Sequence, residues 1–286
     1  MLFKSYKRGV LTPIRLLGSG GEGRVWLVGT RKKNKFYAVK EFFNMRSLEK
    51  EIDFGDKLCD IKNISHYHEI LRNSSNNIQC LLYKYYNGGD MVDLHNAFDF
   101  NHFKYKEQYL LVKGIDICKA IHSMHEMNIA HRDIKPENIL WHRENVKQKV
   151  SDNILKGDKM VLADIGCSHQ GKSIRRIYPS ITYCPPEAYD FKKFKFPYHY
   201  NCDIWSLGTT WLAILYGDNI INGSRNLHGS EIRKKGVSFI KKEYHKEWNN
   251  LSSTTKMLLE ASIIPNPEDR ATAFEIVNII SSNVQV

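Results

Sequence analysis

Hydrophobic positions change their spacing about a third of the way along the chain. Before that point, short apolar runs at residues 14–17, 24–28 and 36–40 are set apart by glycines or polar turns, which is the punctuation of β-strands. Residues 47–58 interrupt them with a helical signal, in which Ser47 can serve as N-cap and the apolar positions are spaced rather than alternating. A further strand is predicted over 78–86, stopped by Asn87, Gly88 and Gly89. Residues 105–127 then place apolar side chains at Tyr109, Leu110, Val112, Ile115, Ile117, Ala120, Ile121 and Met124, the spacing of a buried amphipathic helix. Short strands follow around Ile139 and Val161, and helices are predicted again at 186–187, over 203–215 and near the C-terminus. The polar stretch 142–158 reads as a surface insertion between two strands. The pattern therefore predicts an α+β chain. A small strand-rich lobe with one helix covers about 1–87, and a larger, mostly helical lobe covers about 88–286. The crevice expected between such lobes suits a ligand.

Composition narrows the class. With 286 residues, 42% of them hydrophobic, the chain can bury a core without disulfides or a structural metal. Its six cysteines form no CxxC pair, which predicts reduced thiols and a cytoplasmic setting, with the nucleus as the alternative. The histidines His66, His68, His122 and His125 lack the company of a metal site and read as surface residues. A net charge of +11 favours anionic partners. The densest basic group, Arg31, Lys32, Lys33 and Lys35, lies between two predicted strands and reads as a turn, so no nucleic-acid face is predicted. The N-terminal residues carry no signal-peptide pattern. No window approaches the run of about 20 apolar residues that spans a membrane.

Candidate chemistry begins at Gly18-Ser19-Gly20-Gly21-Glu22-Gly23. A GxGxxG run also opens dinucleotide-binding folds, but there a helix follows the glycines. Here the β-prone Val25-Trp26-Leu27-Val28 follows, so a strand–turn–strand loop is predicted, open enough for backbone N–H groups to approach phosphate oxygens. Lys40 closes the third strand, fifteen residues past Val25, within reach of a phosphate bound by that loop. Taken alone it would be a surface lysine, the usual fate of that residue.

The run His131-Arg132-Asp133-Ile134-Lys135-Pro136-Glu137-Asn138 resembles the catalytic loop of the eukaryotic-type serine/threonine protein kinases. Asp164-Ile165-Gly166 stands where that family has its DFG triplet, and Pro185-Pro186-Glu187 where it has APE. Residues 203–208 and 267–272 match its later motifs, so the resemblance runs from about Leu17 to about Ile280 within a single domain and implies the bilobal α+β kinase fold, its small lobe an antiparallel sheet with one helix.

The resemblance implies ATP and Mg²⁺ as cofactors, with Mn²⁺ as an alternative metal, and a protein substrate. Lys40 would hold the α- and β-phosphates and Glu51 would pair with it. Asp133 would orient the attacking hydroxyl, and Lys135 would stabilise the transferred phosphoryl in the manner of the serine/threonine branch. Asn138 and Asp164 would be the metal ligands, hard oxygen donors as Mg²⁺ prefers. The nucleotide would also meet Leu17, Gly18, Ser19, Gly20, Gly21, Glu22, Gly23, Val25 and Ala38 on one side and Leu140 and Met91 on the other. Tyr83 aligns with the gatekeeper, Lys84, Tyr85 and Tyr86 with the hinge, and Asp90 with a ribose partner. Asp203 would brace the catalytic loop, and Glu187 and Arg270 would form an ion pair.

Some positions depart from that pattern. Glu51 lies only eleven residues past Lys40, and Glu49 is the alternative. Gly55, four residues on, stands where a large apolar residue is expected; Phe54 is the nearest filler, and an activating protein partner at this helix is the other remedy. Glu22 puts a carboxylate at the glycine-loop tip, and Ile165 replaces a phenylalanine. The segment 164–187 is basic at Lys172, Arg175 and Arg176, with Ser173, Tyr178 and Ser180 as candidate phosphate acceptors. Two other readings compete with an active enzyme. A pseudokinase scaffold would be expected to have lost Lys40, Asp133 or Asp164, whereas a small-molecule kinase would lack the Pro185-Pro186-Glu187 segment.

Overall fold

A computed structural model describes residues 2–30, 35–72, 78–97, 103–144, 157–171, 180–189, 200–222 and 227–284. The basic turn at Arg31, Lys32 and Lys33, the acceptors Ser173 and Tyr178 with Lys172, Arg175 and Arg176, and most of the insertion lie outside the described residues. The chain divides into two compact units. The first comprises Met1–Asp60, Ile64–Tyr86 and Ala163–Gly166; the second comprises Ile61–Asn63, Asn87–Leu162 and Cys167–Val286. The short segments 61–63 and 163–166 are thus exchanged between the two stretches of sequence that meet near residue 87.

The first unit contains β1 (Phe3–Ser5), β2 (Gly9–Ser19), β3 (Gly23–Thr30), β4 (Phe36–Phe42), α1 (Met45–Lys57), β5 (Tyr67–Arg72) and β6 (Ile78–Lys84). The strands are antiparallel in the order β1-β2-β3-β4-β6-β5, and β1 also pairs with β5, which closes the sheet into a barrel and leaves it no open edge. Inward positions of six of these strands, Phe3, Leu11, Val28, Val39, Leu71, Cys80 and Leu82, form its core. Neither β1 nor β5 was legible as a strand: β1 has three residues, and β5, YHEILR, buries only Leu71 fully.

The β1–β2 hairpin is fastened to β5 by one carboxylate. Glu69 accepts hydrogen bonds from the Ser5 hydroxyl at 2.8 Å, the Tyr6 amide at 2.5 Å and the Arg8 guanidinium at 2.9 Å. Burial favours its neutral form, but these donors outweigh burial and hold its pKa below the usual carboxylate range.

The second unit begins with β7 (Gly89–Asp90), α2 (Met91–Ala97), α3 (Phe103–Glu126) and β8 (Ile129–Ala130). It continues with β9 (Ile139–His142), β10 (Lys159–Leu162), β11 (His169–Gln170), α4 (Pro186–Tyr189) and α5 (Cys202–Tyr216). The closing helices are α6 (Asn219–Asn222), α7 (Leu227–Lys235), α8 (Val237–Glu243), α9 (His245–Asn250), α10 (Ser253–Ser262) and α11 (Ala273–Asn283). Helix α5 is buried along almost its whole length, and Gly114 of α3 lets the Trp211 ring come so close that any added Cβ would overlap it. Two small sheets, β10-β9-β7 and β11-β8, frame the loop that follows β8. At the foot of the predicted insertion, buried Asp158 accepts from the Tyr109 hydroxyl, the Trp141 indole and the Glu144 amide, fixing both ends of the segment. Glu187 and Arg270 form a two-pronged ion pair at 2.6 and 2.7 Å, essentially without solvent exposure.

Glu69 gives this fold a pH-dependent fastening. A carboxylate whose folded pKa is depressed stabilises above its unfolded pKa, and that contribution is lost as pH falls through the folded value. Glu69→Gln should lower the unfolding free energy at neutral pH by about 1.5–3 kcal/mol, the range for hydrogen bonds to a charged group. The difference from wild type should fade in acid, as followed by urea denaturation across pH.

Candidate active site

Helix α1 turns a carboxylate inward because of its periodicity. Leu48, Glu51, Phe54 and Gly55 are its buried residues, spaced three, four and seven apart on one helical face. Asn44 caps the helix by accepting from the Ser47 amide at 2.8 Å, so α1 starts at Met45, ahead of the predicted Ser47 start. Strand β4 ends at Phe42, leaving a two-residue connection, and this brings Glu51 to Lys40 despite the short spacing. Lys40 Nζ donates to Glu51 Oε2 at 2.5 Å and to Asp164 Oδ1 at 2.7 Å. Glu49 is exposed. Burial works against the Lys40 ammonium, but the two carboxylates outweigh it and hold its pKa above the usual lysine range. Burial pushes the Glu51 pKa up, opposed by Lys40 and by a hydrogen bond from Tyr83.

Asp164 sits at φ +60°, a left-handed conformation unusual for an aspartate, in a segment that packs with this first unit. Glu22, from the turn between β2 and β3, joins it: one oxygen each of Glu22, Glu51 and Asp164 lies within 4.8 Å of the others. The carboxylate that the sequence puts at the glycine-loop tip thus faces two others. In that turn the Gly20 amide donates to the Gly23 carbonyl at 3.0 Å, and the Phe43 amide to the Glu22 carbonyl at 2.9 Å. The glycines differ in what they are needed for. A Cβ at Gly23 would overlap the Glu41 carbonyl of β4, whereas one at Gly18, Gly20 or Gly21 would meet nothing within 4 Å. Internal packing thus demands glycine only at 23, and the other three leave room for a ligand.

The remaining nucleotide candidates of this unit are Leu17, Ser19, Val25 and Ala38 on β2 to β4, with Val25 opposite Lys40 and Ala38 opposite Tyr83 in the sheet register. Lys84, Tyr85 and Tyr86 follow at the end of β6, with Tyr85 and Tyr86 half-buried. Tyr83 is tied to α1, its hydroxyl donating to Glu51 Oε1 at 2.5 Å. The gap expected at Gly55 is filled by Tyr67 rather than by Phe54. Tyr67 Cε1 lies 2.8 Å from the position of a Cβ at residue 55, and the Tyr67 hydroxyl donates to Asp56 at 2.5 Å. A filler from another strand leaves no local trace, which is why the sequence pointed to the neighbour Phe54.

The second unit carries its own array. Asp133, buried, accepts from the Ser180 hydroxyl at 2.7 Å through Oδ1, and from Asn138 Nδ2 and Lys135 Nζ, each at 2.9 Å, through Oδ2. Asn138 Nδ2 also donates to the Asp133 carbonyl at 2.7 Å, and Lys135 to Ser180 Oγ at 3.0 Å. The loop is held from beneath by Asp203, which accepts from the His131 and Arg132 amides at 2.7 and 2.8 Å and bonds His125 at 3.0 Å. Burial favours neutral Asp203, yet His125, His131 and the Arg132 amide outweigh it and depress its pKa. His125 is buried, contrary to its reading as a surface residue; its place one residue after Met124 on the apolar face of α3 was the available signal. Ser180 was read only as a phosphate acceptor, and its hydroxyl instead bridges Asp133 and Lys135.

Asp90 caps α2, its Oδ1 accepting from the Val92 and Asp93 amides. Leu140 lies opposite it in β9, half-buried, while Met91 is fully buried. No helix among the described residues is long and apolar enough to cross a membrane.

These two arrays lie in a chain that matches the protein kinase domain model over residues 11–279 and belongs to that family. It is similar to mouse MAP kinase-activated protein kinase 2, 26% identical over 267 residues that are 92% of this chain and 66% of that protein. It is likewise similar to the MAP kinase-activated protein kinase mak-1 of Caenorhabditis elegans, 25% identical over 92% of this chain and 48% of the relative. Human serine/threonine-protein kinase DCLK3 is 27% identical over 96% of this chain and 39% of its own length. The chain thus spans about two thirds of the mouse protein and less than half of the other two.

Removing the cation from the first array tests its electrostatics. Lys40→Met leaves Glu51 buried without its ammonium, and breaking such a pair costs about 3 kcal/mol or more. The loss should be largest at neutral pH and shrink as pH falls and Glu51 takes up a proton, measured by chemical denaturation of both proteins across pH.

Proposed function

We propose that this protein kinase is catalytically active, transferring the γ-phosphoryl of ATP to serine or threonine hydroxyls of protein substrates with Mg²⁺. The observation that carries this reading is Lys40 held by Glu51 at 2.5 Å and Asp164 at 2.7 Å, a charged lysine positioned by two carboxylates in a half-buried site. The intact hydrogen-bond array of Asp133, Lys135 and Asn138 supports it.

The residues present suit the cofactor. Asp164 offers a hard oxygen, and Asn138 spends its amide nitrogen on Asp133, which turns its amide oxygen to the other side. By the family resemblance each is a candidate Mg²⁺ ligand within its own unit, and Lys40 would hold the phosphates over the open glycine positions 18, 20 and 21. When bound, MgATP supplies the phosphoryl group and the cationic charge that stabilises its transfer. Asp133 orients the acceptor hydroxyl and receives its proton. Lys135 balances charge on the transferred phosphoryl. Ser180, bonded to both, fixes their separation. Asp203 keeps the loop backbone in place so that none of these groups must reorganise during reaction.

A scaffold without catalysis is the second reading. Glu22 favours it, because a carboxylate facing Asp164 and Glu51 opposes the approach of phosphate. Labelled ATP, Mg²⁺ and a generic protein substrate separate the two. Wild type should incorporate label on serine and threonine, Asp133→Asn and Asp164→Ala should lose activity by about 10²–10⁴-fold, and Ser180→Ala should lower kcat by about tenfold. Equal incorporation by wild type and Asp164→Ala would reject the assigned site, and nucleotide binding without transfer would establish the scaffold.

A further inference from the structure

In this first unit the residue four past the lysine-pairing glutamate is a glycine, and the volume it gives up is occupied by an aromatic ring from a strand. A Cβ at Gly55 would lie 2.8 and 2.9 Å from Tyr67 Cε1 and Cδ1, closer than side chains pack, and 3.9 Å from Ile165 Cδ1. Ile165, next to Asp164, is itself buried. The Tyr67 ring therefore occupies the place of the missing helix side chain. Its hydroxyl reaches past that place to α1, donating to Asp56 Oδ1 at 2.5 Å, one residue beyond the glycine. Burial and the Asp56 carboxylate together push the Tyr67 pKa up to about 12, so the phenol remains a donor through the neutral range.

A second tyrosine acts on the same helix one turn earlier. Tyr83 of β6 donates to Glu51 Oε1, while Lys40 donates to Oε2, so the two oxygens of one carboxylate are divided between a strand hydroxyl and the strand lysine. Both rings pack against the cluster of Phe42, Leu48 and Leu81, which joins β4 and β6 to the inner face of α1. Helix α1 is thus held at Glu51 and again at residues 55–56 by side chains that all belong to this unit.

We propose that Tyr67 and Tyr83 are positioning residues for phosphoryl transfer, setting α1 so that Glu51 meets Lys40, and that Gly55 and Tyr67 are an exchanged pair in which strand aromatic replaces helix side chain. This rests on the reading of the chain as an active kinase. It also assigns to the chain's own residues the support that would otherwise be sought from an activating partner at this helix. The aromatic gives α1 two attachments where an aliphatic side chain at residue 55 would give one, since a ring that fills the gap also carries a hydroxyl to Asp56.

The test is an exchange. Gly55→Leu puts a side chain where Tyr67 stands, Tyr67→Ala removes the ring, and the double variant moves the packing back onto the helix. Each single variant should lower kcat/KM by up to about 100-fold, the cost of displacing a positioned group by about 1 Å, and the double variant should recover most of that loss. Melting temperatures of all three identify any variant that fails to fold. Tyr83→Phe supplies a readout that packing alone would not move. Glu51 is faced by Lys40 from β4, Tyr83 from β6, Asp164 from the following segment and Glu22 from the glycine-rich turn. Losing the one hydroxyl keeps the ring but removes the bond to Glu51 Oε1, so kcat should fall by up to about 100-fold while KM for MgATP and the melting temperature stay near wild type.

A double variant no better than the worse single, or Tyr83→Phe with an unchanged kcat, would overturn the proposal. MgATP-induced stabilisation is measured on the same set. If wild type binds MgATP but transfers nothing, the kinase reading fails alone, and the exchange is scored on nucleotide affinity, with recovery in the double variant expected. If wild type neither binds nor transfers, both fall.

Discussion

A lysine ammonium withdrawn from water is held only by the charge placed around it. Lys40 is mostly buried, and taking its charge out of solvent is unfavourable by several kcal/mol unless opposite charge compensates. Glu51 and Asp164 provide that compensation, at 2.5 and 2.7 Å. The geometry that provides it fixes much else: the inward face of α1, the two-residue link from β4 and the docking of segment 163–166 with the strand-rich unit. Strand β4, the adjacent α1 and the distant segment 163–166 meet at one nitrogen, and none can shift without leaving a charge uncompensated.

The second unit solves a parallel problem with a buried carboxylate. Asp203, without solvent exposure, takes two backbone amides and one imidazole and so fastens a loop whose Arg132 sits at φ +70°. Above it Asp133 is satisfied on both oxygens by Ser180, Asn138 and Lys135. Both arrays are preorganised, because their polar groups are already aimed and paired. That is the condition under which electrostatic stabilisation costs no rearrangement during reaction.

The motifs pointed to Lys40, Asp133, Asn138 and Asp164 because the chemistry expected of each needs a particular functional group at a particular spacing, and such constraints are written locally. The larger helices were legible for the same reason, their apolar periodicity being local. What escaped was set by contacts distant in sequence. Tyr67 fills the space at Gly55 of α1 from β5, Tyr83 reaches Glu51 of α1 from β6, and Ser180 bridges Asp133 and Lys135 from more than forty residues away. Strand β1 is too short to show a period, and its pairing with β5 is decided by barrel closure. His125 was misread because its partner Asp203 lies 78 residues on, and only its place on the apolar face of α3 pointed to burial.

The account stands on Lys40 and Glu51 acting as one unit, and a double-mutant cycle on phosphoryl transfer measures that most directly. Lys40→Met and Glu51→Gln should each lower kcat/KM by about 10² or more, and the double variant should be hardly worse than either single one, as expected of groups that serve a single interaction. Losses that multiply in the double variant would show two independent residues and contradict it.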